Sequence, residues 1–236
     1  MNEQPTPVTT SLDGNVLVIH LDDGKANAIS HGVLDALNAA FDRAEAECSA
    51  VALIGRPGRF SAGFDLPTMM AGPESSLPLL AKGAEFAFRL LSFPVPVVVG
   101  CTGHALAMGA IVLMATDVRI GADGPFKLGM NEVAIGMPVP RFAVDLARDR
   151  LSTRHFPSAI GMARVYDPAG AVDAGYLDQV VAGDDVEAAA VAKAHELADT
   201  LRSGAFRMTR SIMRDDLVQH LRDDLAWDLT TFNVEV

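Results

Sequence analysis

The stretch Gly58-Arg59-Phe60-Ser61-Ala62-Gly63-Phe64-Asp65-Leu66 constrains this chain more than any other. It follows Ala50-Val51-Ala52-Leu53-Ile54-Gly55, a charge-free run ended by glycine, which predicts a strand buried on both faces. A strand that stops at a glycine-bearing turn leaves backbone N–H groups at its end, and such groups hold an anion or a developing oxyanion. The Phe64 N–H is the candidate donor. A second glycine-bearing stretch, Gly103-His104-Ala105-Leu106-Ala107-Met108-Gly109-Ala110, follows another apolar run, Val95 to Val99. Alone, each stretch reads as a surface loop or as tight packing of small residues. If the two converge, they make a two-donor oxyanion hole.

The rest of the chain supplies an α/β frame for these two stretches. Val8 to Leu12 and Val16 to Leu21 flank Asp13-Gly14, a hairpin signal. Ser30 is an N-cap for a helix through about Glu47, with Val33, Leu34, Leu37, Ala40, Phe41 and Ala44 on one face. Residues 67 to 78, with Met69, Met70, Gly72 and Pro73, read as a mobile loop suited to a substrate lid. Leu79 to Leu91 reads as a helix, Val97 to Gly100 as a buried strand, and Met108 to Thr116 as a helix that is apolar all round. Further helices are expected over 141–150, 157–164, 185–201 and 203–232. On the last of these, Met208, Ile212, Leu217, Leu221 and Leu225 form an apolar stripe.

Composition narrows the function classes. The 236 residues are 50% hydrophobic and 21% charged, enough for one sizeable core. The net charge of −11 disfavours nucleic-acid binding, which rests on phosphate neutralisation by Lys and Arg. A polyanionic ligand needs local basic residues set against that field; Arg56 and Arg59 bracket Pro57-Gly58 just before the Phe60 stretch, whereas Lys25 by itself reads as a solvated surface lysine. Cys48 and Cys101 lack a CxxC partner and read as buried free thiols of a reducing compartment. No apolar run is long enough to span a bilayer, and the N-terminus lacks a leader pattern, so a cytoplasmic protein without membrane partners is expected. The six histidines show no ligand spacing, so no metal site is expected.

Three blocks carry a family resemblance: Phe60 to Leu66; Gly103-His104-Ala105 leading to Ala115-Thr116-Asp117-Val118-Arg119-Ile120; and the Ala174-Gly175-Tyr176-Leu177-Asp178 run. In order and spacing they resemble the crotonase (enoyl-CoA hydratase/isomerase) superfamily from about Val8 to about Val181. The resemblance implies an α/β crotonase fold (ClpP/crotonase-like), a spiral of ββα units over residues 1–182. Residues 183–236 follow as a C-terminal helical trimerisation region of the same functional unit. It implies an acyl-CoA thioester as partner, with coenzyme A arriving as part of the substrate and no separate cofactor, and assembly as a homotrimer or hexamer.

Residue by residue, the resemblance implies oxyanion donors at the backbone N–H groups of Phe64 and Met108. Relatives usually carry glycine at the second position, so a narrower pocket is expected here. It implies acyl-CoA contacts at Lys25, Ala26, Ala28, Ala62, Gly63, Asp65, Leu66 and Ala107. Asp117 is read as structural and His104 as packed or hydrogen-bonded. The tail lacks the late lysine that some relatives use on the phosphates.

One departure decides the expected reaction. Relatives that hydrate 2-enoyl thioesters hold water between two glutamates, and the first of these positions is Ile111 here. The second carboxylate survives. Met130-Asn131-Glu132, followed by Gly136, resembles the stretch in which Δ3-Δ2-enoyl-CoA isomerases place a single catalytic glutamate. Glu132 among Met130, Val133, Ala134 and Ile135 is expected to be desolvated, which raises its pKa and suits a base that returns its proton. The expected function is enoyl-CoA isomerisation. The alternatives are a hydratase or hydrolase using the same glutamate, and a non-catalytic acyl-CoA-binding protein.

Overall fold

The structure, a computed structural model, describes residues 6–232. Residues 1–5, on which much of the N-terminal reading rests, and residues 233–236 lie outside the described residues. Strands β1 (Val8–Asp13) and β2 (Val16–Leu21) form the expected hairpin, with Asp13 opposite Val16 and Gly14 at φ 58 in the turn. The chain continues through β3 (Ala28–Ile29), α1 (His31–Glu47), β4 (Ala50–Gly55), β5 (Gly58–Ser61) and β6 (Gly63–Phe64). Then come α2 (Leu66–Met70), α3 (Pro73–Leu91), β7 (Val97–Cys101), β8 (Gly103–Leu106) and α4 (Met108–Ala115). After β9 (Val118–Ala122), β10 (Leu128–Gly129), α5 (Arg141–Arg150), α6 (Phe156–Ile160), α7 (Pro168–Ala174) and β11 (Gln179–Val181), two helices finish the fold, α8 (Val186–Thr200) and α9 (Ser203–Thr231).

These elements wind as a spiral. A six-stranded sheet has the order β1-β2-β4-β7-β9-β11, parallel except for the first hairpin, and a parallel three-stranded sheet has the order β10-β8-β5. Each turn lays one strand in the large sheet and the next in the small one: β4 then β5, β7 then β8, β9 then β10. β3 and β6 pair separately, with Ile29 opposite Phe64.

The charge-free runs are explained by burial on both faces of the large sheet. Val51 and Leu53 of β4 face the main core with α1 and α3, while Ala50, Ala52 and Ile54 face a second cluster completed by Ala190 and Ala194 of α8. Val97 and Val99 of β7 divide from Val98 in the same way. Gly100 lets α8 come close, since a Cβ there would stand 2.8 Å from Ile54 Cδ1 and 3.4 Å from Ala190 Cβ.

Three expectations need correction. Residues 67–78 are mostly helical rather than a loop. Asp65 caps α2 by accepting from the Thr68 N–H (3.1 Å) and Oγ1 (2.6 Å), Pro73 opens α3, and Met69 is buried in the core. The helix expected over 157–164 is only the short α6, which ends at Gly161. The stripe on α9 is split: Leu221 and Leu225 are buried, but Met208 and Ile212 are 65% and 79% exposed.

Two carboxylates fasten α9 and its surroundings. Asp117 accepts from the Val97 N–H at 2.8 Å and from Arg210 Nη2 at 2.6 Å, the structural role expected for it. Asp228 accepts from the backbone N–H groups of Arg141 (2.8 Å) and Phe142 (3.1 Å), and so caps α5 from outside that helix. Both cysteines are free: Cys101 is buried, with its thiol pushed up to about 12 by burial, whereas Cys48 is only half-buried.

Candidate active site

Three strand ends meet at Ala107. In the small sheet Arg59 lies opposite His104 and Leu128 opposite Ala105. The Ala107 N–H donates to the Gly129 carbonyl oxygen at 3.1 Å, which ties the segment leading to Glu132 to the mouth of α4. Ala107 has φ 49 and ψ −120, a conformation that a β-carbon tolerates poorly, and it turns the chain from strand to helix in one residue. From the other side comes Gly63, at φ 100. A Cβ there would stand 2.8 Å from Ala107 Cβ and 3.4 Å from the Met108 nitrogen.

This packing brings the two candidate donors together. The Gly63 N–H donates to Ser61 Oγ at 3.1 Å and the Asp65 N–H to the Ile29 carbonyl at 3.0 Å. Successive N–H groups of a strand point to opposite sides, so the Phe64 N–H turns away from β3. Met108 opens α4, and its N–H is a first-turn donor with no acceptor inside the helix, at the positive end of the helix dipole. The Met108 side chain is fully buried. Its bulk is taken up at Gly83 of α3, where an added Cβ would stand 3.4 Å from Met108 Cε and would collide with the Phe64 ring.

Glu132 begins a short 3-10 turn, Val133–Ile135, closed by Gly136 at φ 80. Its side chain is buried, and Oε2 has no hydrogen-bond partner among the described residues. Burial pushes the carboxyl up to about 7, with only its own backbone N–H acting against the rise. The desolvation expected is present, but its source is corrected: Val133, Ala134 and Ile135 are exposed, and of the four expected neighbours only Met130 is buried. Ile111 is buried on α4, one turn into the helix.

The loop before α1 is fixed from within. Asn27, fully buried at φ 50, donates from Nδ2 to the carbonyls of Leu21 (2.7 Å) and Phe60 (3.1 Å) and accepts from the Asp23 N–H (2.9 Å). Burial acts to raise the Asp23 pKa, but hydrogen bonds from the N–H groups of Asn27, Lys25 and Ala28, with Arg56 nearby, prevail and lower it. The Ala62 N–H donates to the Ala26 carbonyl at 3.0 Å, joining the two stretches that contain most of the expected contact residues. The Lys25 side chain is exposed, Ala26 and Ala28 are half-buried, and Ala62 and Leu66 are exposed. Arg56 is committed elsewhere, to the Lys25 carbonyl (2.6 Å) and Asp22 (3.1 Å). Arg59 and Lys127 remain exposed on either side of His104. His104 accepts from the Lys127 N–H at 3.0 Å, and burial together with these two cations lowers its pKa.

The match to the enoyl-CoA hydratase/isomerase family model runs over residues 11–235. The chain belongs to that family. A crystal structure of an enoyl-CoA hydratase/isomerase family protein from Pseudomonas syringae superposes with a TM-score of 0.94 at 39% identity, covering 96% of this chain and 98% of that one. A Mycobacterium tuberculosis protein, described as an enoyl-CoA isomerase in one solved structure and as a probable enoyl-CoA hydratase in another, superposes in the first with a TM-score of 0.91 at 35% identity, over 96% of this chain and 99% of that one. A probable enoyl-CoA hydratase of Bacillus subtilis is 30% identical over 201 residues, 81% of this chain and 74% of that one. The spiral is therefore the crotonase fold.

Two features of this family member escaped the sequence reading. A cavity of about 860 Å³ opens beside Val133, between the segment after Glu132 and the end of α9, with Met137, Val139, Val144, Trp227 and Phe232 as its apolar wall. Phe64, Met108 and Glu132 do not line it, so it adjoins the site rather than containing it. Asp145, His220 and Asp224 bring three ligand-type atoms within 4.8 Å of one another. These groups already have charged neighbours: Arg148 lies 3.2 Å from Asp145, Arg141 lies 2.7 Å from Asp224, and His220 lies 3.1 Å from Asp145. Only the His220–Asp224 spacing was visible along the chain; α5 supplies the third member. Among the described residues, no helix is long and apolar enough to cross a membrane.

Proposed function

We propose that this family member isomerises 3-enoyl-CoA thioesters to their conjugated 2-enoyl isomers. The observation that carries the reading is the buried carboxylate of Glu132, on the segment tied to the Phe64 and Met108 amides, with Ile111 where a second acid would stand. The C2 protons of a 3-enoyl thioester are acidic because the resulting charge spreads over the double bond and the carbonyl. The thioester oxygen accepts from the two N–H groups, a contribution of about 3 kcal/mol per donor in comparable holes. Glu132 removes the C2 proton, the double bond migrates, and the same carboxyl returns the proton to C4. The reaction consumes no water, and one group suffices.

Lys25, Ala26, Ala28, Ala62, Gly63, Asp65, Leu66 and Ala107 frame the coenzyme A moiety in this reading. Lys25, Arg59 and Lys127 offer exposed positive charge on an acidic protein. The cavity beside Val133 takes the distal part of the acyl chain. The reaction calls for no metal or redox cofactor. The exposed Met208, Ile212 and Met213 of α9 support assembly into a trimer or hexamer. Hydration, with Glu132 directing water, is the second reading, favoured by the name of the Bacillus subtilis relative.

Turnover of a 3-enoyl-CoA and, separately, of a 2-enoyl-CoA by the wild type and Glu132→Gln tests the reading. Formation of the conjugated isomer, lost in the variant, is expected. Hydration of the 2-enoyl substrate without isomerisation gives the second reading, and tight binding without turnover of either leaves an acyl-CoA-binding protein.

A further inference from the structure

Four buried side-chain atoms have no hydrogen-bond partner among the described residues: Arg56 Nε, Glu132 Oε2, Tyr176 Oη and Asp224 Oδ2. Arg56 and Asp224 belong to ion pairs, with contacts of 3.1 Å to Asp22 and 2.7 Å to Arg141. Glu132 stands in the turn that follows β10, and Tyr176 follows α7, which packs against β10. Tyr176 comes directly after Gly175, which ends α7 at φ 99, and its side chain is fully buried. Its ring lies 5.9 Å from that of Tyr166, whose backbone exchanges two 2.9 Å hydrogen bonds with Leu128. Tyr176 is thereby packed against the strand that leads through Met130 to Glu132.

The phenol remains a donor in this setting. Burial, Tyr166 and the Glu132 carboxylate all raise its pKa, and the Met130 N–H only partly offsets them. A buried O–H with no acceptor and a buried carboxylate oxygen with no donor are each costly alone. Tyr166 does not fill the same role, because its hydroxyl lies 3.3 Å from His155 Nδ1 and 3.4 Å from Ser158 Oγ. Arg141, Asp145, Arg148 and Asp228, the charged groups around the cavity beyond Val133, are engaged with one another, with Asp224 or with backbone N–H groups.

We infer that Tyr176 is a positioning residue for Glu132, donating its O–H to the carboxylate when Glu132 has lost its proton. The inference rests on the reading of Glu132 as the base. The bond requires a rotation of the Glu132 side chain, since Glu132 Oε2 and the Tyr176 hydroxyl are unpaired among the described residues. It holds the charged carboxylate in one orientation before it takes the proton from C2 and again once that proton has been returned at C4. It also favours the charged form and keeps the base from becoming too weak an acid to complete the cycle.

The test is Tyr176→Phe, which removes one oxygen and keeps the ring. The Glu132 carboxyl is titrated by ¹³C NMR in the intact protein, its signal assigned by its loss in Glu132→Gln. The midpoint is expected to rise by about one pH unit or more, the size of one hydrogen bond to a charged group. The acid limb of kcat/KM should move with it, while Tyr166→Phe leaves both in place. An unchanged midpoint in folded Tyr176→Phe overturns the proposal and leaves Tyr176 a packing residue. If Tyr176→Phe does not fold, 3,5-difluorotyrosine at position 176 supplies a stronger donor and must lower the midpoint; no movement overturns the proposal equally. The carboxyl titration does not depend on turnover. A moved midpoint in a protein that fails to isomerise therefore refutes the proposed reaction and leaves the Tyr176–Glu132 interaction standing.

Discussion

Gly63 and Ala107 meet where β6 passes the start of α4: a Cβ on Gly63 would stand 2.8 Å from the Ala107 Cβ. Both residues have positive φ, 100 and 49, so the two chain reversals that expose the Phe64 and Met108 amides lean on each other. Gly63→Ala must push them apart, and the added Cβ is also strained by its own φ. With the donors displaced, kcat for the proposed isomerisation should fall by about 10²-fold or more. Steady-state kinetics beside a thermal melt checks this; unchanged kcat in a folded variant would remove these amides from the reaction.

Glu132 gives a pH dependence of definite sign. As a base it must be ionised, so kcat/KM should rise with pH and level off above about 7. Its effect on stability runs the other way. The folded pKa of about 7 lies above the ordinary 4.5, so the folded state holds this proton more tightly than the unfolded state. The stability it provides is complete below about pH 4.5 and is lost as pH rises through about 7. Glu132→Gln should therefore be more stable than wild type at pH 8, by up to roughly 3 kcal/mol, and equal to it at pH 4. Denaturant titrations at the two pH values decide it.

Arg210 fastens α9 to the end of β7 through Asp117. The guanidinium is nearly buried, contacts Asp117 at 2.6 Å and lies 4.4 Å from the centre of the Phe206 ring. Arg210→Ala should cost about 2 kcal/mol, because it leaves a partly desolvated carboxylate short of a partner. Arg207→Ala, at an exposed position one turn away on the same helix, should stay within about 0.5 kcal/mol of wild type. Urea unfolding measures both, and equal losses would show that Asp117 contributes nothing special.

The exposed half of the α9 stripe predicts self-association. Ile212, Met213 and Met208 present apolar surface that the described residues leave exposed. Ile212→Asp should lower the mass seen by sedimentation to that of one chain while far-UV circular dichroism stays unchanged. A wild type that sediments as a monomer would refute the assembly.

The sequence by itself determined most of the frame. Runs such as Ala50 to Ile54 and Val97 to Val99 read as strands because both faces are covered, and Ser30 marks a helix start because capping is a local effect. The stretches around Gly63 and Ala107, the carboxylate of Glu132 and the absence of an acid at Ile111 were legible for the same reason: each is a property of a few adjacent residues. Only the tertiary structure decided which distant groups meet. Asn27 joins Leu21 to Phe60, Asp228 caps a helix eighty-seven residues earlier, and the α9 stripe divides between core and solvent. The orphaned oxygens of Tyr176 and Glu132 also come into play only once α7 packs beneath β10. None of these follows from spacing, because they depend on how parallel strands register and on which helix face the spiral has already covered.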